Sequence, residues 1–119
     1  MRRYTVTLTT NGSGVAEGYT PKLRGKVHDI QYVKTDFANG ADVAITGETT
    51  GRNIWTQSDV NASVQVAPRQ PTHTQAGVAR VYASTDGVAD KIAVSGERIK
   101  IAIAQGGDTK VGTFHILVG

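Results

Sequence analysis

The clearest alternation of apolar and polar positions lies in the closing stretch Glu97–Gly119, ERIKIAIAQGGDTKVGTFHILVG. Ile99, Ile101 and Ile103 alternate with Lys100, Ala102 and Ala104, the period of two expected of a strand buried on one face. Phe114, Ile116 and Val118 alternate in the same way with Thr113, His115 and Leu117. Between them, Gln105–Lys110 contains Gly106-Gly107, and glycine supplies the positive φ that a tight reversal needs. The pattern predicts one long C-terminal β-hairpin, with Ile99, Ile101, Ile103, Phe114 and Ile116 in the core.

The rest of the chain alternates in shorter runs. Tyr4, Val6 and Leu8 share one face of a strand over Arg2–Thr9, and Asn11-Gly12 marks the turn after it. Val15–Thr20 reads as a short returning strand, stopped by Pro21. In Leu23–Lys34, Leu23 and Val27 have one parity and Ile30 and Tyr32 the other. A β-bulge near His28-Asp29 would reconcile them. Asp36–Gly40 is a turn, Ala41–Thr46 a strand carrying Val43 and Ile45 inward, and Gly47–Gly51 a loop. Ile54 and Trp55 take opposite sides of the next strand, and Ser58–Ser63 has the composition of a single helical turn capped by Ser58 or Asp59. Ala67–Gly77, APRQPTHTQAG, lacks an apolar period and holds two prolines, which predicts a surface loop or extended arm. Gly77–Ser84 reads as a strand, Thr85–Ala89 as a turn and Lys91–Val94 as a short strand. About eight or nine short strands with regular turn signals imply an all-β antiparallel domain spanning residues 1–119, sandwich or jelly-roll-like.

Composition sharpens this. Hydrophobic residues make up 39% of the chain and charged residues 19%, too apolar and too lightly charged for disorder. With no cysteine, a disulfide framework, thiol catalysis and cysteine-bound zinc are excluded. No run approaches the ~20 apolar residues of a membrane-spanning helix, and no apolar block follows the basic start, so the chain is expected to be made without a signal peptide and kept soluble. The net charge is +3, with Lys and Arg scattered singly apart from Arg2-Arg3. A nucleic-acid-binding β-barrel would instead need Arg2, Arg3, Lys26, Arg52 and Arg98 on one face with Tyr or Trp between them.

Reactive constellations are not visible in the spacing. His28, His73 and His115 are far apart and lack metal-ligand spacing. Asp36, Asp59, Asp86, Asp90 and Asp108 sit at turns or caps. Gly12-Ser13-Gly14 and Gly106-Gly107 lack the lysine pattern and following helix of a phosphate loop. The expectation is no catalytic residue, no metal and no cofactor.

Read whole, the opening RRYTVTLTTNGSG, the middle ITGETTGRNIWTQSDVNAS and the closing ERIKIAIAQGGDTKVGTFHILVG resemble the small, cysteine-free, all-β virion proteins of tailed bacteriophages, above all the capsid decoration, or cement, type. The resemblance implies a structural protein on the capsid exterior that binds the major capsid protein and copies of itself, often as a trimer, with no enzymatic activity. Neck and tail proteins of the same texture are the alternative. The elements expected to grip a partner are Arg2 and Arg3 at the start of the chain and Pro68, Arg69, Pro71 and His73 in the proline-bearing loop, all polar or extended and free of core periodicity.

Overall fold

In the computed structural model of the chain, residues 1–82 and 86–119 are described. Among the described residues, twelve strands follow in order: β1 Arg2–Thr9, β2 Ala16–Tyr19, β3 Leu23–Lys34, β4 Ala41–Gly47, β5 Asn53–Val60, β6 Val64–Val66, β7 Arg69–Pro71, β8 Val81–Tyr82, β9 Asp86–Gly87, β10 Ala89–Glu97, β11 Ile99–Ala104 and β12 Val111–Val118. Every pairing among the described residues is antiparallel. One sheet has the order β1-β12-β3-β10-β7, with β6 also on β3; a second has the order β2-β11-β4-β5; and β8 pairs with β9 in a separate two-stranded sheet. The inward residues of the two larger sheets meet in one core, as the alternation predicts. Ile99, Ile101, Ile103, Phe114 and Ile116 are all buried there, and Tyr32 stacks on Phe114 with ring centroids 4.9 Å apart.

The C-terminal hairpin is not formed. β11 pairs with β2 and β4, whereas β12 pairs with β1 and β3 in the opposite sheet. Residues 105–110 therefore arch across the core instead of reversing within a sheet. The same is true of 10–15, which join β1 in one sheet to β2 in the other. The two arches lock together: Thr10 N–H donates to Lys110 O at 2.8 Å, Thr10 Oγ1 donates to Gly107 O at 2.6 Å, and Gly106 N–H donates to Gly14 O at 2.9 Å. Alternation assigns a face to each residue but not a neighbour to each strand, and a six-residue connection is long enough to span either route.

Other expectations meet the structure more closely. The bulge in β3 lies at His28, where Leu117 pairs with Asp29 but Val118 with Val27. This slip buries Leu23, Val27, Ile30 and Tyr32 together. The helical turn at Ser58–Ser63 is absent. β5 runs on to Val60, and Asp59 takes a φ of 58° beside a register shift against β4. Asp tolerates that left-handed conformation, and its N–H is bonded by Asp42 Oδ1 at 3.0 Å. Of the strand expected over Gly77–Ser84, Val81–Tyr82 is the strand found among the described residues (β8); Gly77–Arg80 instead closes a turn and carries an isolated bridge at Ala79, and residues 83 and 84 lie outside the described residues. The turn expected over Thr85–Ala89 also begins outside them; within it, Asp86–Gly87 pairs with β8.

Candidate interaction surface

Between β6 and β10, which occupy consecutive stretches along the same side of β3, the chain leaves the sandwich as an arm. Its stem pairs Arg69–Pro71 with Ala89–Lys91. Pro71 has no N–H to give, and an edge stem of three residues tolerates it. Above the stem, three segments meet in a ring of backbone bonds: Thr72 N–H to Val88 O at 2.8 Å, Val88 N–H to Arg80 O at 3.2 Å, and Arg80 N–H to Thr72 O at 2.8 Å. One tip reverses at Thr74–Val78, closed by Thr74 N–H to Val78 O at 2.8 Å and below it by the His73–Ala79 bridge. On the arm's other side, β8 pairs with β9. Val78, Val81 and Val88 on the arm are 63%, 55% and 39% exposed. Backbone pairing thus shapes the arm while its apolar side chains face outward.

The residues expected to grip a partner are only partly brought together. Arg69, Pro71 and His73 are exposed on the arm, in its stem or just above it. Pro68 is a correction: it is buried at the foot of the stem, and its carbonyl accepts from Arg69 Nη1 at 2.8 Å. A proline that plugs the junction with the sandwich offers no contact face. Arg2 and Arg3 are exposed but stand on β1, separated from the arm by β12 and β3.

A different set of cations does converge. Arg24 and Lys26 alternate with buried Leu23 and Val27, so both point outward from β3. Lys26 pairs across to Ala93 and Arg24 to Ser95 on β10, whose inward residues are Ile92 and Val94. Lys91, two residues before Ala93 on the same face, pairs with Arg69. Residues directly opposite each other lie about 4.5–5.5 Å apart at Cβ. Arg69 reaches back over the bulge, Nη1 donating to His28 O at 3.2 Å. Beside this row, Thr50, Arg52, Ala93, Val94, Ser95 and Glu97 line a hollow of about 230 Å³. Asp90 sits among the cations. The Lys91 backbone N–H and then the charge of Lys26 hold its carboxyl below the usual range, with Lys91 and Arg69 adding to them.

Glu97 is the buried carboxylate of this region. Its Oε1 accepts from Thr49 N–H and Thr50 N–H, both at 3.1 Å, and the Thr50 hydroxyl reaches Oε2 at 3.0 Å. The Thr50 N–H does most to lower its pKa, against the opposing effect of burial. Elsewhere, Arg98 pairs with exposed Glu48 and lies 4.2 Å over the Tyr19 ring, on the side of the second sheet. Arg2, Arg3, Lys26, Arg52 and Arg98 therefore do not share one face. The histidines stay dispersed: His28 Nε2 lies 3.1 Å from Gly119 O, His115 Nδ1 lies 2.9 Å from Thr5 Oγ1, and His73 is on the arm. Among the described residues, no three His, Asp or Glu side chains cluster as metal ligands would.

No family model and no curated protein matches the chain. A solved structure of an exo-beta-1,3-galactanase from Phanerochaete chrysosporium with galactose overlaps it at 13% identity and a TM-score of 0.33. The overlap covers 98% of this chain but 27% of that one. A likeness this slight carries no functional argument.

The converging cations had a sequence signal that reached only half-way. Alternation in LRGKV places Arg24 and Lys26 on the outer face of their strand. Their meeting with Lys91 and Arg69 depends on strand order, which residues far apart in the chain decide together.

Proposed function

We propose that the chain is a structural protein of a bacteriophage virion, of the capsid decoration type. It binds the major capsid protein on the outside of the head, bridges neighbouring capsid subunits and associates with its own copies as a trimer. In this role it performs no chemistry and holds no cofactor. The observation that supports the reading is the arm. Ordering a backbone costs roughly 1–2 kcal/mol per residue, and the arm meets that cost without burying Val78, Val81 or Val88. An ordered projection with exposed apolar side chains suits a clasp whose remaining stabilisation comes from a second surface. The sandwich beneath supplies a rigid base, and many modest contacts repeated over a shell resist the pressure of packaged DNA.

The test is to quantify the chain in purified particles by mass spectrometry against the major capsid protein. A copy number that scales with the capsid subunits supports decoration. One ring's worth at a single vertex moves the protein to the neck or tail, and absence from the particle rejects both. A variant with residues 72–88 replaced by Asn-Gly should keep the sandwich fold by circular dichroism and lose attachment to the particle.

A further inference from the structure

We propose that the outer face of the first sheet around β10, together with the arm rising from it, binds a carboxylate-rich protein surface. The virion reading supplies the identity of that partner, an acidic patch on the capsid exterior; the chemistry follows from the face itself.

Arg24, Lys26, Arg52 and Arg69 are exposed and Lys91 is half-buried. They surround a floor of small residues, Ala93 and Ser95, so a partner can approach the backbone of β10 closely. Five cations against Asp90 and Glu97 leave an excess of three, as large as the net charge of the whole chain. The pairing of Arg69 with Lys91 sets like charges opposite each other, an arrangement that costs stability when nothing acidic lies between. An anionic partner seated at the foot of the arm would relieve that repulsion. Arg52 lines the hollow beside it together with Thr50 and Ser95, and a guanidinium binds a carboxylate in a forked geometry.

A protein fits better than a nucleic acid for three reasons. Asp90, next to Lys91 in the stem, keeps a carboxylate within electrostatic reach of Lys26, Lys91 and Arg69, where it opposes a continuous phosphate backbone. Among the described side chains, Trp55 and Tyr19 lie on the second sheet, Tyr4 packs against the core from β1 and Tyr32 lies within it, away from the cationic face. The cationic face also continues directly into the arm with its exposed valines, and an apolar patch rimmed by charge is the anatomy of a protein contact.

The experiment measures binding of the purified full chain to immobilised poly-L-glutamate and to a DNA duplex, each at low and raised salt. Wild type should bind poly-L-glutamate more tightly than DNA, with affinity falling as salt screens the contact. Lys26→Glu with Lys91→Glu should weaken it by about tenfold or more, whereas Arg2→Glu with Arg3→Glu should change it little. Circular dichroism confirms that each variant is folded, and the milder Lys26→Gln with Lys91→Gln pair serves if the reversal disturbs the fold. Preference for DNA, absence of poly-L-glutamate binding, or equal loss in both pairs of variants overturns the proposal. The assay contains no particles, so its failure is distinct from failure to find the chain on virions.

Discussion

Removing the Glu97 carboxylate is the sharpest test of how the sandwich closes on the loop between β4 and β5. Glu97 ends β10, and its two oxygens hold Thr49 and Thr50 through two backbone N–H groups and a hydroxyl. Hydrogen bonds to a charged group contribute roughly 1.5–3 kcal/mol each. Thr49 and Thr50 are exposed, so their donors return to water when the carboxylate is lost, which brings the expected net cost of Glu97→Ala to about 3 kcal/mol. Glu97→Gln keeps one carbonyl acceptor and should cost about 1 kcal/mol. Urea denaturation at neutral pH reads both values from midpoints at unchanged slope. The pH dependence has a definite sign. The folded pKa is depressed, so the native state binds fewer protons than the unfolded chain. The stability from Glu97 is therefore complete above the unfolded glutamate value of about 4.3 and is lost as pH falls through the lower folded value. The gap between wild type and Glu97→Gln should narrow over that acid window. A Glu97→Ala protein within about 0.5 kcal/mol of wild type, or a gap that does not change with acid, would refute the clasp.

Two further substitutions probe the core and the arches. Ile101 is fully buried between Gly18 and Ile45; Ile101→Asp places an unpaired charge there at a cost of several kcal/mol, a large share of a small domain's stability, and should leave the chain unfolded by circular dichroism at neutral pH. Gly14 has a φ of 77°, and a Cβ there would lie 3.1 Å from the backbone nitrogens of Gly106 and Gly107. Gly14→Ala should lower stability by about 1–3 kcal/mol, whereas Gly12→Ala, whose nearest neighbour would be Asp108 Oδ1 at 3.8 Å, should come within about 0.5 kcal/mol of wild type in the same urea melts.

Much of this protein was legible in its residues alone. Alternation assigned the buried face of most strands, and even the His28 bulge could be read from the change of parity between Val27 and Ile30, because a buried face demands a period of two. The arm was marked by its prolines and its lack of apolar period, since Ala67–Gly77 offers no alternating apolar face to a core. Strand neighbours were not legible. Gln105–Lys110 has the glycines of a hairpin turn, yet it arches between sheets because Thr10, Gly14 and the loop from 10 to 15 are there to bond it. Nor was Glu97, whose parity alone would place it on the outer face with Lys91, Ala93 and Ser95. Gly96, at a φ of 66°, shifts the register by one residue and turns the carboxylate inward beside Leu23. The cationic face arose in the same way: Arg24, Lys26, Arg69 and Lys91 come from three strands, and only their pairing in a sheet makes them neighbours. Local periodicity decides which way a side chain points, because that depends on its own backbone. What it points beside is set by contacts between distant segments, which form only when the whole core closes.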